Sequence, residues 1–296
     1  MSFQIHNSIH GIPSGMSTTY YHPKYFESQD YNEFIVYSQG GLFIAFDLDG
    51  EKAISIPRSP FGSVLKQKES IEELESFFEK IRVDLKAKSI KEVIIHHPSE
   101  IYESYASIDW LTSVLGEPVY TDINQSIALE ENFSEKLHKM QKRKLDSLIN
   151  EGFTFRKMED HEFETAHKFL KVCRQAQGLQ INISWEQLNK LKQNLPERYE
   201  CFGVFREEKI SALCITVRVT DRIAYYFLPA TSPMFRNQSP MVMLIVGIVD
   251  YYRKNNFSFL DLGVSSIHGK PQDTLRMFKE RMGATESQKP TFRLHL

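Results

Sequence analysis

The sequence predicts a mixed α/β fold of two modules, each with a small antiparallel sheet followed by a helix and a further strand. Three observations predict it. Short strand-like runs are separated by Gly-Gly, Asp-Gly and Glu-Glu turn signals. Longer segments repeat apolar residues at helical spacing. The charge balance reverses near residue 130, with 10 Lys and Arg against 19 Asp and Glu before it and 26 against 19 after it.

We therefore place a domain boundary there, with an N-terminal module over 1–130 and a C-terminal module over 131–296. The first has a net charge of −9 and the second of +7, and the whole 296-residue chain has −2. A basic half suits an anionic ligand such as a phosphate-bearing cofactor. The excess is smaller than that of a dedicated nucleic-acid-binding domain.

Composition narrows the class of protein. Hydrophobic residues make up 41 % and charged residues 25 %, as in ordinary globular proteins. The longest uncharged apolar run, Met241 to Val249, is far shorter than the ~20 residues of a membrane span. Residues 1–16 lack the pattern of a signal peptide, and three separated cysteines indicate no disulfide framework and no zinc site. We expect a cytoplasmic protein without a bound metal.

In the first module the pattern predicts a meander of three strands, a helix and a strand, then a second helix and a short strand. Ser70 and Glu73 form the sequence signature of a capping box at the first helix. The predicted strands are 33–38, 42–48, 51–57, 91–97 and 119–121, and the predicted helices are 70–86 and 98–115.

The second module begins with a basic helix for which Ser134 is the candidate N-cap. It then repeats the order of meander, helix and strand more completely. The predicted helices are 131–152, 160–177, 184–196, 240–253 and 272–282, and the predicted strands are 153–158, 199–205, 210–219, 223–229, 257–263 and 290–296.

Four segments of the second module carry a resemblance to a known family. They are KLHKMQKRKLDSLINEG before FTFRKM, the strand pair ECFGVFREEKISALCITV, the run YYFLPATSPMFRNQSPMVMLIVGIVDYYRKNNFSFLDLG, and DTLRMFKERMGA. In this order and spacing they resemble the Fem-like and GNAT-fold N-acyltransferases that are built from two tandem GNAT-like domains. The first module matches in outline only, through SPFGS and its meander.

The resemblance implies transfer of an acyl group from a thioester, acyl-CoA in the first instance, to a small-molecule amine. That amine would be an amino sugar or amino acid of a cell-envelope precursor. Two alternatives stay open, namely aminoacyl transfer from a charged tRNA and a non-catalytic binding module. The coiled-coil arm of the peptidoglycan-bridge members is absent from the sequence, and the loop FRNQSP differs from the glycine-rich signature of ordinary GNAT enzymes. The sequence gives no oligomeric state.

The loop Arg236, Asn237, Gln238 and Ser239 precedes the apolar helix, and the resemblance implies that it binds the donor phosphates. The N–H groups and the dipole of a helix start favour anions. The alternative is a plain polar loop, with Ser239 as N-cap and Pro240 in the first turn.

Two pairs of residues are candidates for the reaction itself. Tyr225 and Tyr226 are adjacent on a strand and so face opposite sides of it. We assign Tyr226 to catalysis and Tyr225 to substrate binding. The alternative, that one of them is a core residue, stays open.

Asp261 and Gly263 end an apolar strand. Asp261 is a candidate base or amine ligand, and Gly263 is assigned to substrate binding; a turn aspartate that bonds local backbone is the alternative.

Lys279 and Phe278 stand in the motif MFKERMGA. The resemblance implies that Lys279 positions the anionic donor or neutralises developing charge, and Phe278 is assigned to substrate binding. A solvated helix lysine is the alternative. The basic run Lys139 to Lys144 is interpreted as a solvated helix face, with contact to a phosphate-rich donor as the alternative.

Overall fold

A computed structural model of the chain describes residues 2–7, 18–29, 33–56, 58–66 and 70–296. Pro57, the last residue of the third predicted strand, and most of the N-terminal segment without a signal-peptide pattern lie outside the described residues. All other predicted elements can be compared with the structure.

The strands, numbered along the chain, are β1 (Gln4–His6), β2 (Phe34–Gln39), β3 (Leu42–Asp49), β4 (Lys52–Ser55), β5 (Glu92–His96), β6 (Tyr120–Ala128), β7 (Thr154–Lys157), β8 (Tyr199–Arg206), β9 (Lys209–Arg218), β10 (Ile223–Thr231), β11 (Phe259–Val264), β12 (Ser266–Ile267), β13 (Lys270–Pro271) and β14 (Thr285–His295). The α-helices are α1 (Pro23–Glu27), α2 (Ile71–Ala87), α3 (Ile108–Leu115), α4 (Phe133–Lys136), α5 (Lys139–Asn150), α6 (Phe163–Gln175), α7 (Trp185–Asn194), α8 (Met241–Lys254) and α9 (Asp273–Arg281). The mixed α/β class is confirmed.

The chain forms two compact units that are not continuous in sequence. Unit 1 contains residues 1–124, 264–272 and 287–296, and unit 2 contains 125–263 and 273–286. The chain thus returns to unit 1 twice after residue 263. The division into domains at residue 130 remains a prediction beside this interleaved arrangement.

In unit 1 the strands follow the order β1-β2-β3-β4-β5-β14. Neighbours are antiparallel except β4 and β5, which are parallel from Lys52 opposite Glu92 to Ile54 opposite Ile94. Helix α2 packs its apolar face on this sheet, and the capping box of Ser70 is confirmed. The helix contributes the core residues Leu74, Phe77, Phe78, Ile81 and Leu85.

In unit 2 the strand order is β6-β11-β10-β9-β8-β7. Strands β8, β9 and β10 form an antiparallel meander, and β10 pairs with β11 in parallel through the crossover helix α8. Helix α8 is apolar on most of its surface because it packs between the sheet and α5, and it supplies Val242, Leu244, Ile245, Ile248 and Val249 to the core. Both units therefore repeat the order β-β-β-α-β, as the sequence predicts.

Three predicted elements differ most from the structure. The helix predicted over 98–115 begins at Ile108, where Ser107 accepts the N-cap bond from Trp110, and residues 98–107 form a loop. The basic helix predicted over 131–152 is two helices, because Leu137 is extended and the His138 ring caps the second one. Strand β6 extends to Ala128, beyond the predicted end, because its polar residues 124–126 are buried rather than solvated.

Candidate functional site

The parallel strands β10 and β11 pair only over three residues on each strand, from Ile223 opposite Phe259 to Tyr225 opposite Asp261. Strand β10 continues to Thr231, bent by a bulge at Phe227 against β9. A bulge adds one residue to one strand and increases its local twist. Beyond the paired residues the two strands therefore part at their carboxyl ends, where α/β sheets place their ligands.

Four of the predicted site residues meet at this point, and we call them the Gly263 cluster: Tyr225, Asp261, Gly263 and Lys279. The backbone N–H of Gly263 donates to Asp261 Oδ1 at 2.8 Å. Its carbonyl accepts from Lys279 Nζ, also at 2.8 Å. Asp261 is 1 % exposed and Lys279 is 5 % exposed. The buried side chains of Asp261 and Lys279 are thus hydrogen-bonded to the backbone N–H and the backbone carbonyl of Gly263.

The side chain of Tyr225 packs against Gly263 where a larger residue would carry its Cβ. Gly263 has φ +71°, and a Cβ built on it would lie 2.9 Å from the Tyr225 hydroxyl oxygen. No larger residue fits this place without strain. Burial and the negative charge of Asp261 raise the pKa of Tyr225 well above its ordinary value. The hydroxyl therefore stays protonated and able to donate at neutral pH.

Tyr226 and Phe278 lie outside the Gly263 cluster. Tyr226 points to the other face of β10, is part of the apolar core of unit 2, and donates its hydroxyl to the Met241 sulfur. Phe278 is partly buried and packs against the same core. The structure thus selects Tyr225, and not Tyr226, as the tyrosine beside Asp261.

The predicted donor loop is a 3-10 turn over Pro233–Gln238 that ends at the start of α8. The sequence-based assignment of Ser239 as N-cap is wrong. Ser239 takes the left-handed conformation with φ 59°, so its side chain makes no cap bond, and Pro240 occupies the N-cap position. Arg236 and Asn237 are exposed, and Gln238 is half-buried.

A lysine from the basic helix α5 reaches this loop. Lys144 Nζ donates to Ser239 Oγ at 3.1 Å. On the outer side of the same helix Lys139, Lys142 and Arg143 are exposed. The start of α8 therefore lies beside positive charge from α5 as well as near Arg236, an environment that favours a phosphate group.

Sequence reasoning missed a second group of charges in unit 2, centred on the buried Glu200, which we call the Glu200 cluster. Glu200 accepts from Arg218 at 2.7 and 3.0 Å, from Lys157 at 2.6 Å, and from the hydroxyls of Tyr251 and Tyr252 at 2.7 and 2.8 Å. Burial opposes the charge, but these donors outweigh it and lower the pKa of Glu200. Apart from the adjacent Tyr251 and Tyr252, these residues are far apart in sequence, and no local motif joins them.

Membrane-spanning helices and metal sites are both missing from the part of the chain that the structure describes. None of its helices is long and apolar enough to cross a bilayer. None of its groups of His, Cys, Asp and Glu side chains is arranged to hold a metal ion.

Comparisons with known proteins identify the fold. No family model matches the sequence, and no curated protein matches it. Solved structures do match. A structure of FemX aligns over 100 % of this chain and 98 % of its own with 13 % identity and a TM-score of 0.66.

Two more structures of related architecture match. The C-terminal domain of a putative lysylphosphatidylglycerol synthetase from Agrobacterium fabrum aligns over 91 % of this chain and 85 % of its own, with 12 % identity and a TM-score of 0.61. A tandem GNAT protein from the clavulanic acid biosynthesis pathway aligns over 92 % and 87 %, with 7 % identity and a TM-score of 0.51. The chain therefore has the Fem-type, GNAT-like fold that the sequence predicts.

Proposed function

We propose that the protein is a transferase that moves an acyl group from an activated donor, in the first instance acyl-CoA, to the amine of a small cytoplasmic acceptor. The acceptor is an amino sugar or amino acid of a cell-envelope precursor. The Gly263 cluster is the observation that carries the proposal. It places the Asp261 carboxylate and the protonated Tyr225 hydroxyl where the parallel strands β10 and β11 separate. The fold shared with a tandem GNAT protein and with FemX is consistent with it.

The chemistry needs a proton acceptor, a proton donor and fixed geometry. The attacking amine forms the new C–N bond and loses a proton, and Asp261 is the candidate acceptor for it. The thiolate that leaves as the C–S bond breaks is stabilised by a hydrogen bond, for which the Tyr225 hydroxyl is the candidate donor, and it takes its proton from solvent. Lys279 is a positioning residue, since it acts through the Gly263 carbonyl that it holds.

Donor binding is assigned to the start of α8 and the turn before it. The N-terminus of a helix of fourteen residues lies at this loop, and its dipole favours a negative charge there, although the Val242 N–H already donates to the Ser239 carbonyl. Arg236 and Lys144 add positive charge there. We assign the phosphates of the donor to this end and its acyl group to the Gly263 cluster, where the edges of β10 and β11 are no longer paired to each other.

A second candidate is aminoacyl transfer from a charged tRNA, and one observation favours it. The exposed cations Lys139, Lys142 and Arg143 extend the positive charge of the donor end over the first turns of α5. A polyanion would use such a surface, whereas a single nucleotide would not reach all of it.

The first test is a thermal-shift screen of the full chain with CoA, acetyl-CoA, longer acyl-CoAs and a tRNA pool. A ligand at about 100 times its Kd stabilises a protein by ~2.7 kcal/mol, which raises the Tm of a chain of this size by a few degrees. We expect the shift with acyl-CoA. A shift with tRNA alone, lost steeply as salt is added, supports the second candidate instead.

Two variants locate the donor site. Arg236→Ala should weaken donor binding about tenfold or more, since charged hydrogen bonds to phosphate contribute ~1.5–3 kcal/mol where they form. Arg222→Ala removes the same charge at the opposite end of β10 and should leave binding unchanged. Equal affinity of both variants and the unmodified chain contradicts the assignment. No binding of CoA, acyl-CoA or tRNA by the folded protein favours a non-catalytic binding module.

A further inference from the structure

Unit 1 contains a cavity of about 440 Å³ that the proposed chemistry does not use. Its wall is the loop after β5, together with Lys66 and Gln288. This is the loop that replaces the first half of the predicted helix 98–115. We call it the unit 1 cavity. Its inner wall is polar and aromatic, formed by the buried side chains of His97, Ser99, Tyr102 and Tyr105.

The loop is held in place by its own backbone. Lys66 N–H donates to the Ser104 carbonyl, and Ala106 N–H donates to the Val64 carbonyl, both at 2.9 Å. Asn124 Nδ2 donates to Ser99 Oγ at 3.3 Å. These bonds connect both ends of the loop to neighbouring segments. The cavity therefore exists before any ligand binds.

His97 is the polar centre of the inner wall. Its Nδ1 lies 2.9 Å from Ser63 Oγ, and burial lowers the pKa of the ring to about 3. The ring is therefore neutral at physiological pH. A neutral ring has one donor and one acceptor nitrogen, and with Nδ1 committed to Ser63, Nε2 is the nitrogen left for a ligand hydroxyl.

Tyr105 contributes its ring, and not its hydroxyl, to the inner wall. The residue is 3 % exposed, and its hydroxyl lies beside the Thr18 side chain, which does not line the cavity. Together with Tyr102, Tyr105 gives this wall an apolar aromatic surface.

The entrance of the cavity is acidic. Glu100, Glu103 and Asp109 line it and are exposed, whereas Lys66 is the one cation among the described lining residues. The Lys66 ammonium points to the Trp110 ring and lies 4.7 Å from its centre. The entrance therefore favours a positively charged ligand.

We propose that the unit 1 cavity binds a compound that carries a primary ammonium group and several hydroxyls, of the amino-sugar class. A hydroxyl of the ligand binds His97, the rings of Tyr102 and Tyr105 cover the apolar face of the sugar, and the carboxylates at the entrance bind the ammonium group. Binding of this ligand does not depend on the proposed function. The binding can be tested without any donor.

The experiment titrates the full chain with glucosamine, N-acetylglucosamine and glucose, observed by saturation-transfer NMR. The three probes share the ring and differ in the charged amine. Glucosamine should bind at least about fivefold more tightly than the other two. Equal binding of all three, or no binding of glucosamine at millimolar concentration, overturns the proposal.

Variants place the probe in the cavity. Glu100→Gln with Glu103→Gln should weaken glucosamine binding about threefold to tenfold, because each exposed ion pair contributes a factor of roughly two to five. Glu75→Gln with Glu79→Gln changes the same charge on the exposed face of α2 and should change nothing. Equal effects of the two double variants contradict the assignment.

The outcome separates this proposal from the proposed function. Asp261→Asn should bind glucosamine as the unmodified chain does, whatever its transfer activity. Transfer to other amines without glucosamine binding refutes the cavity and leaves the transferase. Glucosamine binding with no transfer from any donor refutes the transferase and leaves the cavity.

Discussion

Each unit contains a parallel strand pair, β4 with β5 in unit 1 and β10 with β11 in unit 2, and the two pairs differ in the groups that lie beyond their last paired residues. Both pairs are three residues long on each strand. In unit 1 the chain itself fills the next position, since Gly62 N–H donates to the His96 carbonyl and Ser55 Oγ accepts from His96 N–H. In unit 2 Gly263 lies at the corresponding position, and the side chains of Lys279 and of the last paired residues, Tyr225 and Asp261, surround it.

The difference shows how one topology can serve two purposes. Backbone bonded by backbone and by a serine hydroxyl, as in unit 1, stabilises a fold but offers no group that titrates near neutral pH. Side chains at the same place cost more to bury, and they bring an acid and a phenol to the end of the strands. We therefore expect substitutions at the unit 2 pair to affect activity and those at the unit 1 pair to affect stability alone.

The largest expected effect is on the proposed transfer reaction. Asp261→Asn keeps the size of the side chain and an oxygen for the Gly263 N–H, but it removes the proton acceptor. The rate should fall about 10²- to 10⁴-fold with a small change in Tm. Ser55→Ala in unit 1 is the control and should leave the rate per folded molecule unchanged. A rate for Asp261→Asn within twofold of the unmodified chain would exclude Asp261 as the base.

A buried charge with a purely structural role should behave in the opposite way. Glu200→Gln breaks the Glu200 cluster and leaves Arg218 and Lys157, both partly exposed, without their carboxylate. Loss of such a partner should lower the free energy of unfolding by about 2–3 kcal/mol, measured by urea denaturation. Transfer by the folded fraction should be unchanged. Glu162→Gln breaks an exposed bidentate pair with Arg156 and should cost less than about 1 kcal/mol.

The two glycines beside the strand pairs provide a matched test. A Cβ at Gly62 would lie 2.7 Å from the Ile56 side chain, and one at Gly263 would meet the Tyr225 hydroxyl at a positive φ. Both Gly→Ala variants should lose ~1–3 kcal/mol of stability. Only Gly263→Ala should also reduce transfer, because it displaces Tyr225 and the bonds to Asp261 and Lys279. Equal transfer by both variants would remove the distinction between the pairs.

The smallest expected effect is the change with pH in the stability that Glu200 contributes. Because the pKa of Glu200 is lowered in the folded state, its stabilisation is fully present above the unfolded-state value of about 4.3 and is lost as the pH falls through the lower folded value. The stability difference between the unmodified chain and Glu200→Gln should be equal at pH 7 and pH 5 and smaller at pH 3. A difference that grows as the pH falls contradicts this assignment.

The sequence predicts those elements that depend on local pattern. The helix α2, the meander β8 to β10 and the crossover α8 follow from apolar spacing and turn residues, and Asp261 and Lys279 follow from motifs in the resemblance. The pattern predicts helix for the loop 98–107 because its tyrosines have a helix-like spacing. Their burial in unit 1 depends on contacts with Val64 and Lys66, which local sequence does not reveal.

Long-range pairing explains the other errors. Glu200, Arg218 and Tyr251 lie on β8, β9 and α8 and meet only once the sheet has formed. Ser239 has the right residue type for an N-cap, but the preceding 3-10 turn fixes its φ at 59°. The bulge at Phe227, which helps to part β10 from β11, is set by pairing with β9 and has no marker in the local sequence.

The interleaved order of the two units has a consequence for biosynthesis. Strand β5 emerges from the ribosome early, but its partner β14 ends the described chain, and Phe292 and Leu294 belong to the core of unit 1. The unit that is translated first is therefore completed last. Until the final strand arrives, one edge of β5 and part of an apolar core remain without their native cover, which is the period in which a nascent chain is most prone to aggregate.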